Sequence, residues 1–302
     1  MHYSLNQLKI FVKVVEKESI TKAAELLHLS QPAVSIQIKN LQDQFDVPLL
    51  EHIGRRIYIT DFGHEIARSA QKILEQMEQM ESKKMAYQGY LAGKLTISVV
   101  STGKYVMPYF LSGFIRNYPG IQLKLDVTNK QQVIESLEKN QVDFSLVSII
   151  PKNLALEKEM LMKNELLLVG PGNSDNFTKI SSLKDLEKVP LIFREAGSAT
   201  REAMENFIKS KNIEVNNRLE LTSNEAVKQA VIAGLGLSIM PLIGIRSELQ
   251  HGKLKIHHIK GLPIFTNWNI VWLENKNFSP AAEAYLNFIR EKKEEIIKAF
   301  FS

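Results

Sequence analysis

Residues 19–44, SITKAAELLHLSQPAVSIQIKNLQDQ, read as two helices joined by a very short turn. Ser19 suits an N-cap, its hydroxyl offered to the free backbone amides ahead of Thr21–Leu27. The second helix opens at Ser30, another cap, with Pro32 inside the first turn, where a missing N–H costs least. Only His28 and Leu29 remain for the turn. Val34, Ile38, Leu41 and Phe45 fall at i, i+4, i+7 and i+11 and mark one buried stripe. Gln31, Ser35, Lys39 and Gln42 run down a different face, all polar, with a single charge. A tight helix pair whose second member carries a small polar stripe is the layout of a helix-turn-helix, with the stripe in the DNA major groove. An ordinary amphipathic helix pair packed on another domain fits the same periodicity, and spacing alone does not separate the two.

Toward the N-terminus, Leu5, Leu8, Phe11, Val12 and Val15 predict a first helix whose apolar face packs on Ala23, Ala24 and Leu27. Toward the C-terminus the chain turns through Asp46-Val47-Pro48. Leu49–His52 and Ile57–Ile59 are short strands around Gly54-Arg55-Arg56, which makes a winged helix-turn-helix with two arginines at the wing tip. Arginine there reaches phosphate or a narrow minor groove, whereas a plain surface turn would leave it solvated. Thr60-Asp61 then caps a long helix to about Tyr87. Along it Ile66, Ala70, Ile73, Met77 and Met80 keep 4,3,4,3 spacing, a heptad seam that a partner or its own domain must cover. Gly89 and Gly93 bracket a hinge after it.

A chain of 302 residues is long for a lone DNA-binding module and predicts two or three domains. A hydrophobic share of 44% is ordinary for a globular protein. No run approaches the ~18 apolar residues of a membrane span, and MHYSLNQLKIF lacks the basic-then-apolar order of a signal peptide. The absence of cysteine excludes disulfides, thiol catalysis, cysteine metal sites and cysteine redox sensing. A cytoplasmic protein with no cofactor and no membrane partner is the expectation. The net charge of +5 is a weaker pointer to nucleic acid than it looks. Residues 1–87 hold eleven Lys/Arg and eleven Asp/Glu, and the excess lies in the remainder, 27 against 22. Local placement, not bulk charge, must carry a DNA-binding reading.

From Lys94 strands alternate with helices, which predicts βαβ units and a parallel sheet. LTISVVS (95–101), IQLKLDV (121–127), residues 143–150, LLLVG (166–170), PLIF (190–193) and WNIVWL (268–273) read as strands. Helices follow the first strand through Phe114, then run over Gln131–Lys139, about Ser198–Lys211, Asn224–Gly234, and onward from Ser279-Pro280. Ligands in open α/β sheets sit beyond the carboxyl ends of strands, near helix N-termini. Hydroxyls, free helix amides and an arginine at such ends predict an anion site held by Ser101, Thr102, Asn129, Ser148, Ser198, Thr200 and Arg201. Each Ser or Thr taken singly also suits a plain helix cap. Gly234-Leu235-Gly236 closes a helix rather than opening one, so it is no dinucleotide fingerprint. His257-His258 would point to opposite faces of a strand, which argues against joint metal ligation. Neither a nucleophile elbow nor a phosphate-binding P-loop is present.

The run AAELLHLSQPAVSIQIKNLQ (23–42) resembles the N-terminal signature of LysR-type transcriptional regulators. STGKYVMPYF (101–110), NYPGIQLKLDVTN (117–129), REAGSATR (194–201) and TSNEAVKQAVIAGLGLSIMP (222–241) resemble the subgroup that regulates carbon-fixation operons, and related regulators of sulfur assimilation. The chain departs from the family pattern at Leu50 and His52, where phenylalanine and arginine are usual, and at Asp46, where glycine is common. His52 is a weaker phosphate ligand than arginine near neutral pH. The resemblance implies an α+β protein with a winged helix-turn-helix DNA-binding domain over 1–60 and a linker (dimerisation) helix and hinge over 61–93. Residues 94–302 would form a bilobal α/β effector-binding domain like the periplasmic binding proteins. Lobe one would take about 94–163 and 270–302, and lobe two about 164–269.

On this reading double-stranded promoter DNA is the partner, contacted by Gln31, Pro32, Ser35, Lys39, Arg55 and Arg56. Gln31 and Ser35 would meet base edges, with Lys39 and the arginines on phosphates. The resemblance further implies a homodimer or homotetramer, a phosphorylated or carboxylate effector between the lobes, RNA polymerase as a further candidate partner, and no catalysis. Two rival classes remain. An α/β enzyme acting on a small anion would need a base and a nucleophile paired in the cleft. A small-molecule binding module without DNA activity is the other, which the helix-turn-helix argues against.

Overall fold

The computed structural model describes residues 3–54, 56–87, 90–173, 177 and 180–301. They form two units, Met1–Tyr90 and Leu91–Ser302. The first begins with α1 (Leu5–Lys17), α2 (Ile20–Leu27) and α3 (Gln31–Gln42). Each has a serine N-cap: Ser4 shares a capping box with Gln7, while the Ser19 and Ser30 hydroxyls accept from the amides of Lys22 and Ala33. Such a cap contributes about 1 kcal/mol. His28 takes a left-handed conformation, φ +54°, and turns α2 into α3.

Phe11, Val14, Ala23, Val34 and Leu41 are fully buried at the centre of this unit. The buried face of α1 is Leu8, Ile10, Phe11 and Val14, whereas Leu5, expected inside, is 43% exposed. Leu5 is the first residue of the helix, while Ile10 is buried because α1 touches α4 (Asp61–Tyr87) as well as α2 and α3. Phe45 lies past the end of α3, half-buried, stacked on Tyr3 and edge-on to Phe62. Gln42 is a structural residue rather than part of a free polar stripe. Its Oε1 accepts from Leu49 N at 2.6 Å and its Nε2 donates to the Val47 carbonyl, pinning the turn before the wing.

The wing is β1 (Leu50–Ile53) paired antiparallel with β2 (Arg56–Ile59). Thr60 joins it to α4, accepting from Gly63 N and donating to the Pro48 carbonyl at 2.6 Å. A Cβ at Gly63 would lie 2.1 Å from the Leu49 carbonyl oxygen, so only glycine lets α4 start this close to the wing. Along α4 the heptad positions divide. Ala70 is buried and Ile66 packs in the same core, but Ile73 and Met77 are each 42% exposed and Met80 69%.

Gly89 lies outside the described residues, and Gly93 opens β3 (Gly93–Val100), the first strand of the second unit. A 3-10 turn over Ser101–Tyr105 leads to α5 (Met107–Asn117), β4 (Ile121–Thr128), α6 (Lys130–Glu138) and β5 (Phe144–Val147). The long β6 (Leu156–Pro171) follows, then β7 (Leu191–Arg194), α7 (Ala199–Ser210), β8 (Arg218–Leu221), α8 (Asn224–Ile232) and β9 (Ser238–Pro241). The chain ends with α9 (Arg246–Gln250), β10 (Leu254–Ile256), β11 (Ile264–Leu273) and α10 (Pro280–Phe300).

The main sheet runs β10-β6-β11-β5-β3-β4, with β9 also on β6. It is mixed rather than parallel. β3 is parallel to β4 and β5, but β11 is antiparallel to both β5 and β6, and β6 is antiparallel to β9 and β10. The antiparallel pairs arise because β6 and β11 run in opposite directions between two hydrophobic cores. One core gathers Leu95, Ile97, Phe110, Phe114, Phe144, Trp268 and Tyr285 and defines a first lobe. The second lobe packs on both faces of the later half of β6. Leu166 and Leu168 meet Phe193 and Phe207 on one side, and Leu167 and Val169 meet Ile192 and Val227 on the other. The β6–β11 register slips between Trp268 and Asn269, at the passage from lobe to lobe. Among the described residues no helix is long and apolar enough to cross a membrane.

Candidate functional site

In the first unit α3 presents Gln31, Pro32, Ile36 and Lys39 as exposed residues, with Ser35 half-buried beside them. Gln31 Nε2 donates to Ser35 Oγ at 3.0 Å, so these two polar groups lie together on one patch next to the helix N-terminus. The amides and dipole of that terminus favour negative charge, the setting a phosphate backbone offers. Arg56 is exposed and opens β2, paired with Ile53 in the last pair before the wing tip. Arg55 lies outside the described residues. His52 is exposed on β1, across from Ile57.

In the second unit a cleft opens between the lobes. Its walls are Val100, Ser101, Thr102, Asn129 and Lys130 from the first lobe, and Arg194, Glu195, Ser198, Ala199 and Thr200 from the second. Strand ends and helix starts converge here. Val100 ends β3, Asn129 caps α6 through Oδ1 to the Gln132 amide at 2.9 Å, and Arg194 ends β7. Ser198 is the N-cap residue of α7, but its hydroxyl makes no cap hydrogen bond. Gly197, at φ +84°, lets the chain turn from β7 into α7 so that this helix start joins the wall.

Arg194 is the central charge. Its side chain is 4% exposed. Nε and Nη2 donate to the two carboxylate oxygens of Glu195, each at 2.7 Å, and Nη2 also reaches Ser101 Oγ at 3.1 Å across the cleft. Nη1 is buried with no hydrogen-bond partner among the described residues. A buried donor left unpaired costs ~1–3 kcal/mol, so this atom is poised to donate to an anionic oxygen. Lys130, at the start of α6, makes a second bridge between the lobes, 2.8 Å to Glu202 of α7.

Two residues expected in this site are elsewhere. The chain bends at Ser148, just past β5, and Ser148 is not part of the cleft wall. The guanidinium of Arg201 is committed to Glu205 at 2.8 Å and Glu220 at 2.7 Å, and Nη1 also donates to the Arg194 carbonyl. Burial works against its charge, but the hydrogen bonds to Glu205 and Glu220 outweigh that and hold its pKa above the usual value. Arg201 therefore braces the end of β7 instead of meeting a ligand. Arg194, Glu195 and Lys130 are the charged wall residues that sequence reasoning missed. The rule that singled out Ser101, a strand's carboxyl end, applies equally to Arg194. The walls offer hydroxyls, two cations and one carboxylate but no imidazole, a composition suited to holding an anion rather than to acid–base chemistry.

Residues 5–64 match the family described as bacterial regulatory helix-turn-helix protein, lysR family, and residues 88–294 match the LysR substrate binding domain. The RuBisCO operon transcriptional regulator of Allochromatium vinosum is 37% identical over 290 residues, covering 96% of each chain. The regulatory domain of CcmR from Synechocystis PCC6803, solved in complex with 2-PG, is 32% identical with a TM-score of 0.63. That likeness covers 67% of this chain and 97% of the other. Full-length CbnR complexed with its target DNA shares the fold at 23% identity, with a TM-score of 0.69 over 95% of this chain and 99% of the other.

Proposed function

The chain belongs to the LysR family of transcriptional regulators, and from that premise we propose that it controls promoter activity in response to a small anionic metabolite bound between the lobes. The observation that carries this reading is the buried guanidinium of Arg194, with Nη1 unpaired in a wall of hydroxyls and helix starts. An anion there would take bonds from Arg194 and Lys130 and from the hydroxyls of Ser101, Thr102, Ser198 and Thr200. The relative with 2-PG makes 2-phosphoglycolate the first compound to try, and the carbon-fixation regulators among the relatives point to the same metabolic setting.

Residues 1–60 would read double-stranded DNA, with Gln31 and Ser35 at base edges and Lys39 and Arg56 at phosphates. Residues 61–93 would pair two subunits through the bare part of the α4 seam, and 94–302 would sense the metabolite. Promoter control makes RNA polymerase a further partner and the cytoplasm the compartment. A ligand touching both lobes favours the lobe arrangement it fits best, and only that difference in affinity can drive a change in how paired subunits meet their half-sites. The relatives are named as regulators, which supports this reading over an enzyme.

The test is a nuclease footprint on the upstream region of the protein's own gene and on carbon-fixation promoters, with and without 2-phosphoglycolate. The footprint should lengthen or shorten with the ligand, and Arg194→Met should keep the footprint but lose the response. A footprint in the wild type that no phosphorylated or carboxylate metabolite changes would remove the cleft as a sensor.

A further inference from the structure

Both cations of the cleft are paired with carboxylates. Arg194 holds Glu195 in a bidentate pair, and Lys130 holds Glu202 across the lobes. The four side chains sum to no net charge, so an entering anion meets a neutral cleft rather than a positive one. Arg194 and Glu195 are sequence neighbours, so the carboxylate stays within reach of the guanidinium in any lobe arrangement. Glu195 is 24% exposed and Glu202 44%, so each can swing toward solvent without breaking a core.

We propose that Glu195 and Glu202 are built-in counter-anions that compete with the effector for Arg194 and Lys130, and that this competition selects multiply charged anions over monoanions. The inference rests on the effector site proposed above. A monoanion that displaces Glu195 replaces one carboxylate with another, and its Coulombic gain is nearly cancelled. A phosphate monoester, whose second ionisation lies near pH 6, brings two charges and can satisfy both cations and the unpaired Nη1 together. Displacing Glu202 also opens the 2.8 Å bridge between α6 and α7, so ligand entry changes what links the lobes. The unpaired Nη1 fits this scheme, because Glu195 covers only the Nε and Nη2 edge of the guanidinium.

The experiment is isothermal titration of the full-length chain and its Glu195→Gln variant with 2-phosphoglycolate at about pH 8, where the phosphate is a dianion, and with glycolate as the monoanionic probe. Glutamine keeps the shape but loses the charge, so Glu195→Gln should bind 2-phosphoglycolate about tenfold tighter. Wild type should bind glycolate at least about tenfold more weakly than 2-phosphoglycolate. Glu202→Gln, at a more exposed position, should tighten binding severalfold and keeps the test intact if Glu195→Gln does not fold. Wild-type binding that neither variant strengthens would overturn the counter-anion role and leave the effector site standing. Binding by a variant alone would support the role. No binding by any of the three would remove both readings.

Discussion

His257 follows β10 directly and is buried, with its Nε2 unpartnered among the described residues. Burial is the main force holding its pKa below 6.5, Lys255 adds to it, and a hydrogen bond with the Ile180 backbone works the other way. The unfolded chain therefore takes up a proton at higher pH than the folded one. Stability is complete above 6.5 and falls as pH drops from there toward the lowered folded value. Urea unfolding of wild type should show a loss between about pH 7 and pH 5 that His257→Gln lacks, and parallel profiles would refute it. At this scale much of the cleft is legible: Ser101, Thr102, Asn129, Ser198 and Thr200 are polar residues at strand ends or helix starts. Arg194 is passed over because the predicted strand stops at Phe193, which leaves Arg194 and Glu195 in the segment before α7, whereas β7 runs on to Arg194 at the cleft wall. Arg201 misleads because sequence displays its charge but not Glu220, which arrives from β8, 19 residues away.

Among the elements, α4 makes a claim that can be measured. Its start, through Ala70, packs in the core with α1, while Ile73, Met77 and Met80 face no core among the described residues of their unit. A second copy of the same stripe would cover them by knobs-into-holes contact. Met77→Glu combined with Met80→Glu should shift the protein to monomer in sedimentation velocity. Losing the second half-site should weaken operator binding by about a hundredfold, the size of a lost bivalent gain. An unchanged dimer would place the subunit contact elsewhere. The helices α2, α3 and α4 are legible because caps and apolar spacing agree in each, and α10 because Ser279 and Pro280 mark its start. The first half of β6 is not. Its run LEKEMLMK carries four charged residues with little burial between them, a surface pattern that conceals a strand continuing into the second lobe.

Across the whole second unit the chain passes from the first lobe to the second along β6 and returns along β11. Alternating strands and helices make an α/β unit legible, but antiparallel passage between lobes leaves no mark in local periodicity, so a parallel sheet is the natural misreading. The first lobe holds segments from both sides of the second in sequence, and its core closes only when Trp268, Trp272, Tyr285 and Ile289 are in place. On the ribosome the N-terminal end emerges first, so the second lobe can fold while the first still waits for its last strand and helix. A nascent chain stalled before Pro280 should thus give a protease-resistant fragment from the second lobe and a digestible first lobe. The effector cleft, whose walls come from both, would be the last part of the protein to exist, and a chain released early would carry a finished half-wall facing an unfinished one.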